Sequence, residues 1–322
     1  MPKLEVNGLK LHYHTHGKGL PIVFIHPPLL SSSIFRYQEV QLADTFRVIT
    51  FDIRGHGHSD PSTVPVTYPV IVEDMIQLLN ELDIPKAVVC GYSTGGGVAL
   101  EALLTHPDRF HAGILIGGMS EVSDWRLMAE IKAASTLTYA GAKRLMAWAI
   151  STGNADMPIT FGNLYRSSME GNVANWHQYY HASLEFNCTS QLPKIHHPML
   201  LINGEKDKRL ARYAAILREK LPNVEQALVR GLKHQIPTKA AARMNGLVQH
   251  WIGLKLSDEM EEANERKKHK IRNIPKEDTV RVAKTHPDET PEERGARLDR
   301  ELMGYDPQAD NASADIESTV RH

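Results

Sequence analysis

The sequence predicts an α/β fold in which helices flank a mostly parallel sheet, and two observations lead to that prediction. Short continuous apolar runs such as PIVFIH (21–26), FRVITFD (46–52) and KAVVCGY (86–92) are typical of strands buried on both faces. Segments with apolar residues at helical spacing, such as VIVEDMIQLLNELD (70–83), follow these runs. Strand–helix alternation of this kind specifies a parallel sheet with helices on both faces.

The remaining elements follow in order along the chain. KLEVNGLKLHYHTHG alternates apolar and polar residues around Asn7-Gly8, which predicts a hairpin of two short antiparallel strands. Further strands are expected at 111–118, 198–204 and 224–230, and further helices near 34–44, 94–105, 209–220 and 238–254.

The alternation fails in one long stretch, about 119–193, which is rich in Ala, Met, Trp and Tyr and predicts several helices. A helical insertion at one end of a parallel sheet stands where a lid would stand. The alternative, extra packing helices without a gating role, stays open at this point. With this inserted cap, residues 1–256 form the predicted main domain.

Residues 257–322 are dominated by charged and small polar side chains. Such a composition predicts a largely solvated, flexible tail. Thr290 and Glu293 nevertheless form a capping-box pattern with Pro291 in the first turn and Gly304 as a possible C-cap. A short helix that docks on the domain or on a partner is therefore the alternative.

Composition limits the possible partners and compartments. With 37 basic and 38 acidic residues, the net charge of −1 argues against nucleic acid or an anionic membrane as the main partner. No apolar run reaches the roughly 18 residues of a membrane span, and MPKLEVNGLK lacks the apolar core of a signal peptide. Cys90 and Cys188 have no metal-like spacing. We expect a cytoplasmic protein, and the sequence does not indicate its oligomeric state.

The strongest chemical signal is VVCGYSTGGGVAL, in which Gly91, Ser93 and Gly95 fit the pattern G-x-S-x-G. The serine lies after a predicted strand and opens a predicted helix, which is the context of a nucleophile elbow. Small flanking residues allow the strand and helix to approach, and the helix N-terminus favours negative charge on Ser93. The alternative is a glycine-rich turn with an incidental serine.

From Leu4 to about Leu254 the chain resembles the α/β-hydrolases with a helical cap. The resemblance rests on the elbow and on motifs that occur in the family's order: FIHPP (24–28), FDIRGHGHSD (51–60), LLINGEKDKRL (200–210) and RGLKHQIP (230–237). It implies the α/β-hydrolase fold, a serine nucleophile and chemistry that needs no cofactor or metal. A carboxylate nucleophile, which dehalogenase and epoxide hydrolase relatives need, is absent from position 93.

The resemblance also implies the partners of the serine. Asp207 stands where the family carries its acid and His234 where it carries its base, in the order serine, acid, histidine. Glu205 is an alternative acid two residues away, and Asp124 is a weaker one, since some relatives place the acid there. His56 and His58 suggest a metal site, but the family pattern makes their segment a structural turn.

The resemblance raises a difficulty at Pro27 and Pro28, where the family usually has a glycine followed by a residue whose N–H completes the oxyanion hole. Proline has no N–H. Thr94 supplies one donor, and the N–H of Leu29 is the preferred second donor, with the hydroxyls of Ser31 and Ser32 as alternatives. Losing one donor costs about 3 kcal/mol, or roughly 10²–10³ in rate.

The function predicted on this basis is a serine hydrolase that cleaves a small to medium carboxylic ester, lactone or related acyl substrate. The cap offers a possible pocket wall, made of Trp125, Met128, Tyr139, Met146 and Trp148. Two alternatives remain: a ligand-binding or regulatory protein on a hydrolase scaffold, and an enzyme for C–C hydrolysis or perhydrolysis, because fold alone does not determine function.

Overall fold

The computed structural model describes residues 2–272, and in this range eight strands form one sheet in the order β1-β2-β4-β3-β5-β6-β7-β8. The pairs β1/β2 and β2/β4 are antiparallel, and every other neighbouring pair is parallel. The predicted α/β fold with a mostly parallel sheet is therefore confirmed. The strands are β1 Lys3–Val6, β2 Leu9–His16, β3 Leu20–Ile25, β4 Phe46–Phe51, β5 Ala87–Tyr92, β6 Phe110–Ile116, β7 Met199–Gly204 and β8 Val224–Val229.

The N-terminal hairpin has the two-residue turn that its sequence predicts. Val6 pairs with Leu9, and the intervening Asn7 and Gly8 have φ of 47° and 78°. Positive φ at both central residues is the geometry of a type I′ turn, which Asn-Gly favours.

Helices cover both faces of the sheet, and where the sequence predicts bounds for a helix, the observed bounds lie within a few residues of them. They are α1 Arg36–Gln41, α2 Tyr68–Glu81, α3 Gly95–Thr105, α4 Trp125–Tyr139, α5 Lys143–Asn154, α6 Pro158–Glu170, α7 Val173–Glu185, α8 Ala211–Lys220, α9 Ile236–Lys239, α10 Ala241–Lys255 and α11 Ser257–Arg272. Helices α4–α7 form the predicted insertion between β6 and β7. Glu121 and Asn187 pair at its base, where the chain enters and leaves the cap.

Successive side chains of the central strands point alternately into two apolar cores, one on each face of the sheet. In β3, Val23 and Ile25 join one core, while Ile22 and Phe24 join the other. This alternation explains why the strand is apolar throughout, since both of its faces are covered. A third cluster joins the cap to the main domain; it contains Leu29, Met119, Val122, Ile131, Trp176, Tyr180, Leu210 and Tyr213.

Helix α11 occupies residues whose charged composition predicts a solvated tail. Leu256, just before it, is buried, and Met260 and Ala263 pack against the core that contains Ile22 and Phe24. Because charged residues dominate the surrounding sequence, composition alone does not reveal these two apolar contacts. The flexible tail predicted for the rest of 257–322, and the alternative short helix near 290–304, lie outside the described residues. Within 2–272, no helix is long and apolar enough to cross a membrane.

Helix α3 begins unusually close to the sheet, because glycines line the contact. A Cβ on Gly91 would lie 2.3 Å from the carbonyl oxygen of Gly95, and a Cβ on Gly95 would lie 2.4 Å from that of Ile25. Both distances are far below van der Waals contact and both partners are backbone. Any side chain here therefore forces the helix away from the strands.

We expect Gly95→Ala to lower the free energy of unfolding by about 3 kcal/mol or to prevent folding, because the new methyl group overlaps backbone. Gly246→Ala is the matched control in the exposed face of α10, where the new Cβ has no neighbour within 4 Å. Replacing a helical glycine there should raise stability by about 1 kcal/mol. Thermal unfolding checks both, and equal effects of the two substitutions would contradict this account.

Candidate active site

Ser93 lies on the sharp turn between β5 and α3. Its φ is 57°, and its amide donates to the carbonyl of Ile116 on the neighbouring strand β6 at 2.9 Å. The carbonyl of Ser93 accepts from the amide of Gly96 at 2.9 Å, so the helix starts immediately. This backbone presents the side chain at the carboxyl end of the parallel strands, the edge at which such sheets carry their sites.

The structure brings the three predicted triad residues together. His234, in the loop between β8 and α9, places Nε2 2.9 Å from Oγ of Ser93 and Nδ1 3.2 Å from Oδ2 of Asp207. Asp207 follows β7, so three different strands contribute. The side chains of His234 and Asp207 are 25% and 10% exposed, which leaves the imidazole reachable from solvent and its acid partner largely shielded.

The environment of Asp207 keeps it ionised. Burial acts to raise the pKa of this carboxyl, but the hydrogen bond from His234 and the amide of Leu210 outweigh burial and leave the pKa below its ordinary value. A carboxylate only accepts hydrogen bonds, so the proton lies on Nδ1 of His234. The lone pair on Nε2 then faces the hydroxyl of Ser93. In this tautomer the imidazole is oriented to take a proton.

Neither alternative acid faces His234. The carboxylate of Glu205 accepts from the amide of Gly231 at 2.9 Å. Asp124 is the N-cap of α4, where its Oδ1 accepts from the amides of Arg126 and Leu127. Asp124 thus caps its own helix, and Glu205 holds the backbone of the loop between β8 and α9.

The turn after β3 explains how the chain accommodates its consecutive prolines. A residue that precedes proline is restricted to extended conformations, so His26 and Pro27 continue the direction of the strand. The chain turns at Pro28 and Leu29, and Leu29 has φ 66° and is buried. Among residues 2–272, no acceptor takes the amide hydrogen of Leu29 or of Thr94. These are the two predicted oxyanion donors.

Of the two hydroxyl alternatives at this turn, that of Ser31 has other partners, and Ser32 is bound through its amide. Oγ of Ser31 donates to Oγ of Ser167 at 2.9 Å and lies 2.8 Å from Oγ of Ser33. The amide of Ser32 donates to Asp52 at 2.7 Å. The serines after the prolines therefore fix the turn to its surroundings.

The histidine-rich segment after β4 is a structural turn built on Asp52. This buried carboxylate accepts from the amides of Ser32 and His58 and lies 2.8 Å from Nδ1 of His12. His56 instead pairs Nδ1 with the carbonyl of Arg54 at 3.1 Å. In the described part of the chain, no group of three or more His, Cys, Asp or Glu side chains could hold a metal ion.

Sequence reasoning missed several residues at this site. The ring of His234 packs on Gly117, where a Cβ would lie 2.8 Å from both Nδ1 and Cε1. The hydroxyl of Tyr179 donates to the carbonyl of His26 at 3.1 Å, and that of Tyr68 donates to the carbonyl of Thr94 at 3.2 Å. The glycine pair after β6, Gly117 and Gly118, is a sequence feature that indicates a close contact at this position. Nothing in the local sequence marks the two tyrosines.

The cap residues expected to form a pocket wall fall into two groups. Trp125, Tyr139 and Trp148 are 71%, 67% and 53% exposed and point away from the core. Met128 and Met146 do pack against the cluster that joins the cap to the main domain. Apolar residues on cap helices therefore face outward as well as inward, which periodicity alone does not resolve.

We expect Asp52→Asn to lower the free energy of unfolding by about 3 kcal/mol at pH 7, because buried donors lose their charged acceptor. Burial acts to raise the pKa of Asp52, but the bonds from His12 and Ser32 hold it well below its usual range. The stabilisation of the fold by ionised Asp52 is therefore complete above the unfolded pKa of about 4. It is lost as the pH falls towards the lower pKa of Asp52 in the folded protein. Urea unfolding from pH 7 to pH 3.5 should show the difference between wild type and variant shrinking.

The control for this series is Asp60→Asn, whose carboxylate is 40% exposed. It should change stability by less than about 1 kcal/mol. A gap between Asp52→Asn and wild type that does not depend on pH would show that the charge of Asp52 is not the stabilising feature.

We expect Gly117→Ala to lower kcat about 10- to 100-fold, because the new methyl group displaces the imidazole of His234. Gly141→Ala is the matched control: both glycines have positive φ, 56° and 93°, but a Cβ on Gly141 has no neighbour within 4 Å. Both variants should lose some stability through backbone strain. Loss of activity in both, per folded molecule, would argue against contact with His234 as the cause.

Comparison with known proteins supports the assignment of the fold. The family model of the alpha/beta hydrolase fold matches residues 21–144. The chain is 26% identical over 257 residues to "Serine hydrolase BPHL" of Homo sapiens, spanning 78% of this chain and 85% of that protein. It is 26% identical over 209 residues to "3-oxoadipate enol-lactonase 2" of Acinetobacter baylyi, spanning 63% and 78%.

Solved structures show the same fold. An enol-lactonase from Burkholderia xenovorans has a TM-score of 0.71 at 20% identity, over 78% of this chain and 99% of that one. An esterase from Exiguobacterium antarcticum has a TM-score of 0.71 at 20% identity, over 78% and 98%. Together with the sheet order and the strand–serine–helix turn, these matches show that the chain has the alpha/beta hydrolase fold.

Proposed function

We propose that the protein is a serine hydrolase that cleaves a small to medium carboxylic ester or lactone through an acyl-enzyme. The observation that carries the proposal is the continuous chain of hydrogen bonds from Ser93 through His234 to Asp207, at 2.9 Å and 3.2 Å. A pure binding site has no use for a nucleophile, a base and an acid in this arrangement.

In the first half of the reaction, Oγ of Ser93 attacks the acyl carbon while Nε2 of His234 takes the hydroxyl proton. Asp207 stabilises the imidazolium that forms. The carbonyl π electrons move to oxygen, return when the intermediate collapses, and expel the alkoxide, which takes the proton from His234. In the second half, His234 deprotonates a water molecule that attacks the acyl carbon. The acid is released and the proton returns to Ser93.

The amides of Thr94 and Leu29 are the proposed donors to the oxyanion. Thr94 directly follows the nucleophile at the start of α3, and Leu29 lies at the turn where the prolines end. Both amide hydrogens lack an acceptor within residues 2–272, as expected of groups reserved for a substrate oxygen. In this proposal Pro28 removes one donor position and the amide of Leu29 takes its place.

The substrate class is supported by the relatives, one named an enol-lactonase and another an esterase structure. The cluster that joins cap and main domain lies beside the turn, through Leu29, and beside the acid loop, through Leu210. An acyl or alkoxy group of partly apolar character fits such surroundings. No cofactor or metal takes part in the proposed chemistry, and a small acyl compound, rather than nucleic acid, is the proposed partner.

The test is reaction of the purified protein with an alkyl fluorophosphonate, read by intact mass. We expect stoichiometric labelling that Ser93→Ala abolishes, and hydrolysis of short p-nitrophenyl esters. Asp207→Asn should retain the fold and lower kcat by roughly 10⁴-fold, because it gives the imidazole the wrong tautomer. Glu205→Gln is its matched control and should hydrolyse the esters as the wild type does.

A folded protein that neither labels nor turns over esters or lactones would overturn the proposal. It would favour the alternative of a ligand-binding protein on a hydrolase scaffold. Labelling that survives Ser93→Ala would place the nucleophile elsewhere.

A further inference from the structure

The turn that carries Leu29 is held from the side of the sheet by two contacts. Nε2 of His26 accepts from the amide of Ile53 at 2.9 Å, and the amide of Ser32 donates to Asp52 at 2.7 Å. Both anchors belong to the main domain. They fix the two ends of the turn, and the segment 27–30 lies between these two fixed ends.

The cap holds the same turn from the opposite side. From α7, the hydroxyl of Tyr179 donates to the carbonyl of His26 at 3.1 Å. From α6, Oγ of Ser167 lies 2.9 Å from Oγ of Ser31 and 2.7 Å from Oγ of Ser33. The turn is thus connected to two cap helices, one at each of its ends.

Leu29 needs such support because its backbone is strained. Its φ of 66° lies in the left-handed region, which a residue with a branched side chain rarely adopts. A turn of this kind persists only where its surroundings determine it. Released from its anchors, the segment would relax towards φ below zero, and the amide of Leu29 would rotate with it.

Tyr179 is suited to a fixed donating role. It is fully buried, and burial raises the pKa of its hydroxyl well above the ordinary value, so the proton that it donates stays in place at every working pH. Its ring packs against the rings of Tyr68 and His56, at 5.9 Å and 5.6 Å between centroids. Removal of the hydroxyl alone leaves these ring contacts intact.

We propose that Tyr179 and Ser167 are positioning residues that hold the amide of Leu29 towards the oxyanion, so that the seated cap completes the catalytic site. This inference rests on the proposed serine hydrolase function. It assigns to α6 and α7 a part in the rate of the reaction in addition to covering the site. A cap displaced from the turn would leave the triad intact and the oxyanion hole unformed.

The test measures the variants Tyr179→Phe, Ser167→Ala and the double variant with p-nitrophenyl butyrate, after titration of active sites with a fluorophosphonate. We expect kcat to fall about tenfold in Tyr179→Phe and about threefold in Ser167→Ala, with KM within about twofold of wild type, because the donor acts on the transition state. Affinity for an aryl trifluoromethyl ketone, whose adduct carries an oxyanion, should fall by the same factors.

Two matched controls remove an oxygen from the same part of the molecule without touching the turn. Ser168→Ala deletes a buried hydroxyl that has no partner among the described residues. Tyr165→Phe deletes the hydroxyl of a half-buried tyrosine on α6, whose ring packs on Phe161. Both should match wild type in kcat and in ketone affinity.

A second measurement does not depend on turnover. Hydrogen–deuterium exchange of the peptide that covers 26–33 should be faster in Tyr179→Phe and Ser167→Ala than in either control. Unchanged exchange together with wild-type kcat would overturn the inference. A smaller fraction of molecules that react with the fluorophosphonate, combined with a normal kcat per reactive molecule, would also overturn the inference. The two residues would then serve stability alone.

A wild-type protein with no labelling and no turnover would overturn the proposed function and this inference with it. Wild-type turnover combined with unaffected Tyr179→Phe and Ser167→Ala variants would overturn only the inference. The two failures are therefore distinguishable.

Discussion

The structure depends on one close contact, between the first residues of α3 and strands β3 and β5. Gly91 and Gly95 bring backbone to within a distance that no side chain permits, and Ser93 between them adopts a left-handed backbone. This geometry holds the side chain of Ser93, the proposed nucleophile, out of the sheet and at the N-terminus of α3. The parallel strands on either side then decide which loops can reach it. Asp207 and His234 arrive from β7 and β8 because those strands end at the same edge.

The prolines constrain the opposite side of the site. Because residues before proline stay extended, the chain turns at Pro28 and Leu29, and the first free amide is that of Leu29, one position beyond the donor that the resemblance implies. The bend falls on Leu29, whose side chain is buried among cap residues and whose backbone is strained. A glycine would adopt that φ without cost but would supply no packing. At this turn the chain combines two consecutive prolines, a buried apolar side chain and hydrogen bonds from outside the turn.

The sequence predicts features that depend on local interactions and misses those that depend on contacts between residues far apart in the chain. The spacing of apolar residues and the positions of glycine and proline predict the strands, the helices and the elbow, since these features depend on local sequence. The motif order predicts Asp207 and His234, since the topology fixes which loops meet. Tyr179 and Ser167 lie more than a hundred residues from the turn that they touch, and nothing near them in sequence marks that contact. The apolar contacts of α11 are likewise diluted by its charged residues.

The two halves of the proposed chemistry have different structural origins. Proton transfer needs Ser93, His234 and Asp207, and all three lie on loops at the edge of the sheet. Stabilisation of the oxyanion needs Leu29, whose turn is fixed jointly by Asp52 below and by the cap above. Under the proposed coupling, a substrate that seats the cap also improves the hole that stabilises its transition state. Binding energy from the apolar part of the substrate would then appear in kcat rather than in KM alone.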